Sequence, residues 1–307
     1  MNLRSNFLLL LFCLSANFIY AQTFADLIVE GDRFYEAKDY IASLNSYERA
    51  FELNDAPETG NYYNAACTAA LAKENEKALN FLTKAIDTGW TSLKWMLNDA
   101  DLASLHAEPR WQKQVDRLTK IKEELEKDMN KSLMAELEII REKDQRYRGQ
   151  MRGFSDRYGW SSPQVDSLWV LQAPFDSLNT LRVIEIIEEY GYPGKTLVGD
   201  QASSTFLVIQ HADLEVQEKY LPILVKAAEA GELQYASLAL LIDRVNMRNN
   251  KPQIYGSQLQ RNEETGGWIF YSIEDEKNVN KRREKVGLGP LEDYAQRFGL
   301  DYTVPKE

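Results

Sequence analysis

The chain has 307 residues, of which 44% are hydrophobic and 27% charged, and its formal net charge at pH 7 is −11. This composition is typical of a globular protein with room for two domains, and it argues against wholesale disorder. Nucleic acids and anionic membrane surfaces attract clustered Lys and Arg, so the acidic balance argues against both as partners.

The N-terminus has the pattern of a secretory signal peptide. Arg4 precedes the apolar run FLLLLFCLSANFIY, and Ala21 provides a small residue for cleavage. The run is shorter than the roughly 20 residues that a membrane-spanning helix needs. Cys13 follows the bulky Phe12, whereas a lipidation site needs a small residue there. The sequence therefore predicts cleavage of residues 1–21, export across the inner membrane to a periplasmic or secreted location, and no transmembrane segment afterwards.

After cleavage the chain keeps one cysteine, Cys67. An exported protein with a single cysteine has no internal disulfide and no cysteine metal cluster. Cys67 lies in the apolar run YYNAACTAALA, which favours a small buried helix residue over a reactive thiol. No metal site and no cofactor are predicted.

Residues 30–55 and 64–89 share a pattern of small and bulky side chains. The matching positions stand 35 residues apart: Ser43 with Ala78, Tyr47 with Leu82, and Ala50 with Ala85. In this pattern residues 24–88 resemble two tetratricopeptide repeats, whose helix-turn-helix period is 34 residues. The resemblance implies two α-hairpins in which small residues allow the helices to approach and bulky residues fill the space between them.

Two repeats leave apolar ends, so a cap is expected. The cap is predicted within residues 22–115, in the segment 89–115, and its apolar residues are Trp90, Trp95, Leu97, Leu102, Leu105 and Trp111. The inner helices of tetratricopeptide repeats line a concave groove that binds peptides. The resemblance places five residues in that groove: Ile28, Asp32, Tyr35, Tyr63 and Cys67. None of these is basic, so an acidic tail is a poor fit. Binding of a protein or peptide partner and packing on a second domain both remain open.

Residues 110–148 contain neither Gly nor Pro, and apolar residues recur every three or four positions from Leu118 to Ile140. This predicts one or two amphipathic helices. Residues 116–150 are expected to link the repeats to a C-terminal domain, residues 151–307.

The C-terminal domain has mostly helical patterns. A helix is predicted to start at Pro163, and a second, FDSLNTLRVIEIIEEYG, is stopped by Gly191. Asp200 is the expected N-cap of the next helix. Further helices are predicted at 214–230, 233–249, 276–286 and 290–298, with a β-hairpin formed by IYGSQLQR and GWIFYSI. The predicted fold class is mainly α: a tetratricopeptide-type α-hairpin array, a long linking helix and a helical domain with a small β-hairpin.

Two polar groupings in this domain can be explained by function or by packing. His211 and Asp213 follow an apolar run, as a general base or a hydrogen-bonded histidine at the core edge would. Asp243 and Arg244 interrupt the apolar helix LALLIDRVNM, and burying an unpaired charge costs on the order of several kcal/mol. An ion pair between helices would compensate that cost. Alternatively, Arg244 could hold a carboxylate or phosphate group of a substrate.

Asp144 and Arg148 are four residues apart, the spacing of an ion pair on one helix face. A functional role requires Asp144 or Gln145 to face inward. In the segment KPQIYGSQ, strict strand alternation places Gln253 and Gln258 on opposite faces, unless a glycine between them bends the strand.

The later segments resemble a bacterial domain family of unknown function over about residues 130–300: DQRYR, GYP with VGDQAS, VIQHAD, LIDRVNM, PQIYGSQ and RREKVGLGPLEDY. That family combines Gln-His-x-Asp, Asp-Arg and Gln-x-Tyr-Gly-x-Gln motifs in this order. The resemblance marks the following positions: Asp144, Gln145, Arg148, Gln210, His211, Asp213, Asp243, Arg244, Gln253, Tyr255, Gly256 and Gln258. Ser257 stands where the family carries Thr. The resemblance implies a shared polar cluster and transfers no activity.

No G-x-S-x-G elbow, P-loop or G-x-G-x-x-G fingerprint occurs in the sequence. The first hypothesis is an exported protein whose repeats mediate protein–protein interaction, beside a domain of unknown function. The second is a hydrolase-like enzyme with His211 as general base, oriented by Asp213 or Asp243. Its predicted ligand-binding residues are Asp144, Gln145, Arg148, Arg244, Gln253, Tyr255 and Gln258. The third is a small-ligand sensor that uses the same residues without turnover.

Overall fold

The computed structural model describes residues 22–53, 57–262 and 266–305. The predicted signal peptide lies outside these ranges. The chain divides into two compact units, an N-terminal unit that ends at Leu125 and a C-terminal unit that starts at Glu126. Both are built mainly from helices, with one small antiparallel sheet in the C-terminal unit, and this confirms the mainly α fold class. Within the described ranges, no helix combines the length and apolar character needed to cross a membrane.

The N-terminal unit consists of helices joined by short turns. Its elements are α1 Phe24–Glu36, α2 Tyr40–Leu53, α3 Thr59–Leu71, α4 Asn75–Asp87, α5 Leu93–Asn98, a 3₁₀ helix Ala100–Leu105, and α6 Pro109–Leu125. Helix α1 packs on α2 and α3 packs on α4, and each pair forms an α-hairpin. Thr23 and Asp26 begin α1 with a capping box, which satisfies amide groups that the first helical turn leaves without partners.

The small and bulky residues of the repeat pattern pack as helix pairs require. A Cβ atom on Gly31 would lie 3.2 Å from the Tyr47 ring, so glycine is what lets this ring approach α1. Ser43 is buried and its hydroxyl donates to the Gly31 carbonyl at 2.7 Å. Ala78 and Ala85 are fully buried at the matching positions of the second hairpin. The helical arrangement of this unit therefore fits two repeats.

The predicted cap is partly correct. Leu102, Leu105 and Trp111 are buried and extend the apolar core of the hairpins. Trp95 and Leu97 lie on the exposed side of the short helix α5, because α5 buries Met96 instead.

The C-terminal unit contains helices and one two-stranded sheet. These are α7 Lys131–Gln145, α8 Arg148–Tyr158, α9 Pro163–Tyr190, α10 Lys195–Val198, α11 Ala202–His211, α12 Leu214–Glu229, α13 Tyr235–Arg248, β1 Leu259–Arg261, β2 Trp268–Phe270, α14 Val279–Lys285 and α15 Leu291–Gln296. The two strands pair antiparallel with Leu259 opposite Phe270. The core lies between α7, α9, α11, α12 and α13 and includes the fully buried Val183, Ile209 and Leu224.

The predicted linking segment, residues 116–150, is divided between the units. Helix α6 ends at Leu125 in the N-terminal unit, and α7 and α8 belong to the C-terminal unit. Asn130 starts α7: its side chain accepts from the Leu133 amide at 3.0 Å, and its own amide donates to the Leu197 carbonyl at 2.9 Å.

Two local predictions in this unit are wrong. The helices expected on either side of residue 174 form one 28-residue helix, α9, with Pro174 inside it. Neighbouring side chains hold this part of α9 against the end of α7, as shown below, and tertiary contacts outweigh the loss of one helical hydrogen bond. Asp200 is not an N-cap, because it lies in a 3₁₀ turn, Gly199–Gln201, that leads directly into α11.

Candidate functional site

His211 and Asp144 form a hydrogen-bonded pair at the ends of two helices. His211 Nδ1 lies 2.9 Å from Asp144 Oδ1 and 3.1 Å from Oδ2. Asp144 is 1% exposed in the last turn of α7, and His211 is 19% exposed as the last residue of α11. Because Nδ1 faces the carboxylate, Nε2 is the ring nitrogen left for another group. Asp144 thus faces inward, the condition that a functional role requires.

The partner of His211 differs from the two acids expected from the sequence. Asp213 is the N-cap of α12 and accepts from the Val216 amide at 3.0 Å. Asp243 accepts three backbone amides from the loop after α13, as described below. The ends of α7 and α11 meet in the core, and this brings Asp144 to His211 across 67 residues of sequence. The hydrogen bond that orients His211 therefore comes from Asp144.

Several neighbours keep Asp144 ionised although it is buried. Burial raises the pKa of this carboxyl, but the hydrogen bond and charge of His211 and the charge of Arg148 outweigh it, and the net pKa lies below the usual value. Gln145 adds a hydrogen bond from Nε2 to Asp144 Oδ2 at 2.6 Å. A buried carboxylate with these donors is a suitable partner for a histidine that gains and loses a proton.

Both terminal nitrogens of Arg148 are occupied by hydrogen bonds within the protein. Its terminal nitrogens donate to the Asp176 carboxylate in a bidentate pair, at 2.7 Å each. One of them also donates to the Asp144 carbonyl at 2.6 Å and to Asp144 Oδ1 at 3.2 Å. The predicted contact between Asp144 and Arg148 is present, and it is weaker than the contact of Arg148 with Asp176.

Arg244, in contrast to Arg148, has most of its hydrogen-bond donors unoccupied by the described residues. This partly buried guanidinium donates once, to the Gln210 carbonyl at 3.0 Å. No carboxylate of the described residues lies within ion-pair distance of it. Burial lowers the pKa of Arg244, and the neighbouring charges of Arg248 and Arg148 act in the same direction. An incompletely paired cation in this environment favours an anion beside it.

The arginines of α13 also hold the backbone on both sides of His211. Arg244 binds the Gln210 carbonyl, and Arg248 donates to the Ala212 carbonyl at 3.0 Å. The side chain of Gln217 adds a second donor to the Gln210 carbonyl at 2.8 Å. Carbonyls at a helix C-terminus lack intrahelical partners, so these donors fix the last turn of α11 and the position of the imidazole.

Asp243 organises the segment KPQIYGSQ. This fully buried carboxylate accepts from the amides of Ile254 at 2.7 Å, Tyr255 at 2.9 Å and Ser257 at 2.9 Å. The neighbouring positions Asp243 and Arg244 thus fix two different motifs, because Asp243 holds this loop and Arg244 holds the turn at His211. With its oxygens occupied by the backbone, Asp243 has a structural role.

Residues 253–258 form a tight loop in place of the predicted first strand of a hairpin. Gln253 Nε2 donates to the carbonyls of Gln258 at 3.0 Å and Tyr271 at 2.9 Å, and Gln253 Oε1 accepts from the Gln258 amide at 2.8 Å. Gly256 has a φ of +70°. The chain therefore bends at this glycine, and the side chains of residues 253–258 do not follow strict strand alternation. The hairpin strands begin only at Leu259.

The C-terminal helices close the same loop through its carbonyl groups. Arg282 donates to the Ile254 carbonyl at 2.8 Å, and Arg283, only 3% exposed, donates to that of Tyr255 at 2.7 Å. The Tyr294 hydroxyl donates to the Ser257 carbonyl at 2.9 Å. This explains the late segment RREKVGLGPLEDY as a structural partner of the loop.

The N-terminal unit contains a second polar group on its predicted inner surface. Tyr35 donates to Asp101, Tyr63 donates to Asp99 at 2.9 Å, and the Cys67 thiol lies 3.5 Å from the same Asp99 oxygen. Ligand atoms of Cys67, Asp99 and Asp101 lie within 4.8 Å of one another. Burial and the two carboxylates raise the pKa of the Cys67 thiol, so it stays protonated and is a poor metal ligand.

The geometry defines a mainly α domain in which three motifs fix one another around the pair of buried Asp144 and partly exposed His211. A family model described as a family of unknown function (DUF6624) matches residues 131–304, more than half of the chain. The protein belongs to this family, and the match starts at the first residue of α7. No curated protein and no solved structure shows significant similarity to the chain.

Sequence reasoning missed Asp176 and Gln172, which contact Arg148 and the start of α8. Their signal is the spacing of Gln172, Asp176 and Asn179, four and three residues apart, which places three polar side chains on one helix face.

Proposed function

We propose that the C-terminal unit binds a small molecule through an anionic group and carries out acid–base chemistry at His211, as a hydrolase-like enzyme does. The observation that carries this proposal is the Asp144–His211 pair, next to a turn held by Arg244, a guanidinium without a carboxylate partner among the described residues. Clefts that combine a carboxylate-oriented histidine with an unpaired cation are suited to catalysis on anionic substrates.

The two members of the pair have distinct roles. The neutral imidazole donates its Nδ1 proton to Asp144 and presents Nε2 as the base that removes a proton from water or from a substrate hydroxyl. The imidazolium that results is stabilised by the buried carboxylate, and it returns the proton to the leaving group. Asp144 orients the ring and needs no proton of its own.

Arg244 and Arg148 also have different roles. Arg244 retains most of its five N–H donors for a carboxylate or phosphate group. Arg148 is already bound to Asp144 and Asp176, so we assign it the task of positioning Asp144. Gln253 and Asp243 are assigned to the architecture of the loop, since their hydrogen-bonding groups are occupied.

Anion binding is tested by thermal unfolding with added inorganic phosphate or acetate. We expect the unfolding temperature of the wild type to rise with at least one of these anions, and the rise to vanish in Arg244→Gln. Arg141→Gln is the matched control, because Arg141 is exposed and donates to Ser203. If Arg244→Gln does not fold, Arg244→Lys replaces it. Equal stabilisation of all variants, or none in the wild type, would contradict the proposal.

Catalysis is tested with p-nitrophenyl acetate and p-nitrophenyl phosphate. The chain has two histidines, so His106→Ala is a matched control for His211→Ala. We expect only His211→Ala to abolish hydrolysis. Anion binding with no turnover of either compound would favour the third hypothesis, a small-ligand sensor.

A second function is proposed for the N-terminal unit: its α-hairpins bind a protein or peptide partner after export of the chain. The specific observation is the pairing of Tyr35 and Tyr63, on α1 and α3, with Asp101 and Asp99. Carboxylates on that surface favour a segment rich in Lys or Arg. Binding of Lys-rich but not Glu-rich peptides, weakened in Asp101→Asn, is the expected result. Export is tested by N-terminal sequencing of the protein from cells, which should start at Gln22.

A further inference from the structure

A row of polar side chains on α9 contacts the end of α7. We name Gln172, Asp176 and Asn179 the polar ladder. The side-chain amide of Asn179 donates to the Ile140 carbonyl at 3.1 Å, and the side-chain amide of Gln172 donates to the Lys143 carbonyl at 3.2 Å. Both residues are buried, with exposures of 3% and 0%. The ladder thus fixes the last turns of α7, which carry Asp144.

The ladder also fixes the junction between α7 and α8. Gln172 Oε1 accepts from the Tyr147 amide at 3.2 Å, and its Nε2 donates to Asp176 Oδ1 at 2.8 Å. Asp176 then holds both terminal nitrogens of Arg148. The contacts form a chain from Gln172 through Asp176 and Arg148 to Asp144.

The geometry of Arg148 shows what Asp176 contributes. Arg148 gives its bidentate pair to Asp176 and only one contact, at 3.2 Å, to the carboxylate of Asp144. The two oxygens of Asp144 thus stay available to His211, at 2.9 and 3.1 Å. Without the Asp176 carboxylate, Asp144 would be the nearest bidentate acceptor for Arg148, and Arg148 would compete with His211 for it.

We infer that Asp176, supported by Gln172, is a positioning residue for the Asp144–His211 pair. It holds Arg148 away from a full ion pair with Asp144 and so keeps the imidazole in the Nδ1–H form that presents Nε2. A helix interface needs no buried polar network for stability, since apolar side chains of similar size pack at least as well. Such a network gives positional accuracy instead. This inference rests on the function proposed for His211.

The experiment is nuclear magnetic resonance of the histidine rings in the full chain. Exposed His106 provides the internal reference for His211. The wild type should show a low-field Nδ1–H proton resonance for His211, assigned by its loss in His211→Ala. Asp176→Asn should abolish this resonance, and Gln172→Met should weaken it. Asp166→Asn, the same change at an exposed position of α9, should leave it unchanged.

The outcomes separate this inference from the proposed function. If Asp176→Asn unfolds at a lower temperature but keeps the His211 resonance, the ladder only joins helices and the inference is wrong. Loss of the resonance in Asp176→Asn, in a protein that binds no anion, would contradict the proposed function and support the positioning role. If Asp176→Asn does not fold, Gln172→Met decides, because it leaves every charge in place, and an unchanged resonance there overturns the inference.

Discussion

Asp144 Oδ1 lies 2.9 Å from His211 Nδ1, although 67 residues separate the two in the sequence. The contact exists because α7 and α11 both end at the same place in the core of the C-terminal unit. Backbone groups next to both residues are held as well: Arg244 and Arg248 bind the carbonyls of the turn at His211, and Gln172 binds the Lys143 carbonyl at the end of α7. The pair is therefore oriented from both sides.

Stability in acid should depend on Asp144. Its pKa is lower in the folded protein than in the unfolded chain, so its contribution to stability is complete above the ordinary value of about 3.9 and is lost as the pH falls from there through the folded pKa. Asp144→Asn should cost about 2 kcal/mol at pH 7 and should lose less stability than the wild type below pH 4. Urea unfolding at several pH values measures both.

The control for this prediction is Asp156→Asn, which changes an exposed aspartate of α8. Its stability should follow that of the wild type at every pH. An unchanged acid dependence in Asp144→Asn would show that other carboxyls govern acid unfolding.

Removing the Asp243 carboxylate should release the loop at residues 253–258. Three backbone amides lose their acceptor in Asp243→Ala, and each buried unsatisfied donor costs about 1–3 kcal/mol, so a loss of about 3 kcal/mol or more is expected. Hydrogen exchange should show faster exchange at Ile254, Tyr255 and Ser257. Asp293→Asn, at an exposed position of α15, should change neither quantity. Retained protection at the three amides would disprove the structural role.

Gly256 should be intolerant of a side chain. Its φ is +70°, and a Cβ there would lie 2.9 Å from Leu291 Cδ1 and 3.1 Å from Ile273 Cδ1. We expect Gly256→Ala to lower the free energy of unfolding by about 1–3 kcal/mol. Gly153→Ala, inside α8 with open space around the new methyl group, should instead raise it by about 0.5–1 kcal/mol. Equal effects of the two substitutions would refute this account.

Cys67 should be chemically inert in the folded protein. Burial, together with Asp99 and Asp101, raises the pKa of its thiol, and the thiolate is the reactive form. With Cys13→Ser as background, a thiol reagent should label Cys67 only after denaturation at pH 7. Asp99→Asn should leave the thiol unreactive as long as the hairpins stay folded, since burial is the largest cause. Rapid labelling of the native protein would contradict the buried position of the thiol.

Much of the fold could be predicted from the sequence, because it depends on local periodicity. The spacing of Ser43, Tyr47 and Ala50 against a second copy predicted the helix pairs, and the apolar stripe before Asp144 predicted α7. The failures have local causes. The sequence predicts two helices on either side of Pro174, but the polar contacts of Gln172 and Asp176 keep α9 continuous there. Aspartate is a residue type that favours the N-cap position, but Asp200 lies inside a 3₁₀ turn.

The sequence by itself determined the helix pairs of the N-terminal unit, the composition and the positions of the three motifs, since these depend on residues close together along the chain. Only the tertiary structure decided which charges meet. Asp243 and Arg244 are adjacent, yet one binds the loop at Ser257 and the other the turn at His211. His211 is bound by Asp144 and not by Asp213, although Asp213 is much closer to it along the chain. Contacts between helix ends depend on how the helices pack, and that information is absent from the spacing along one chain.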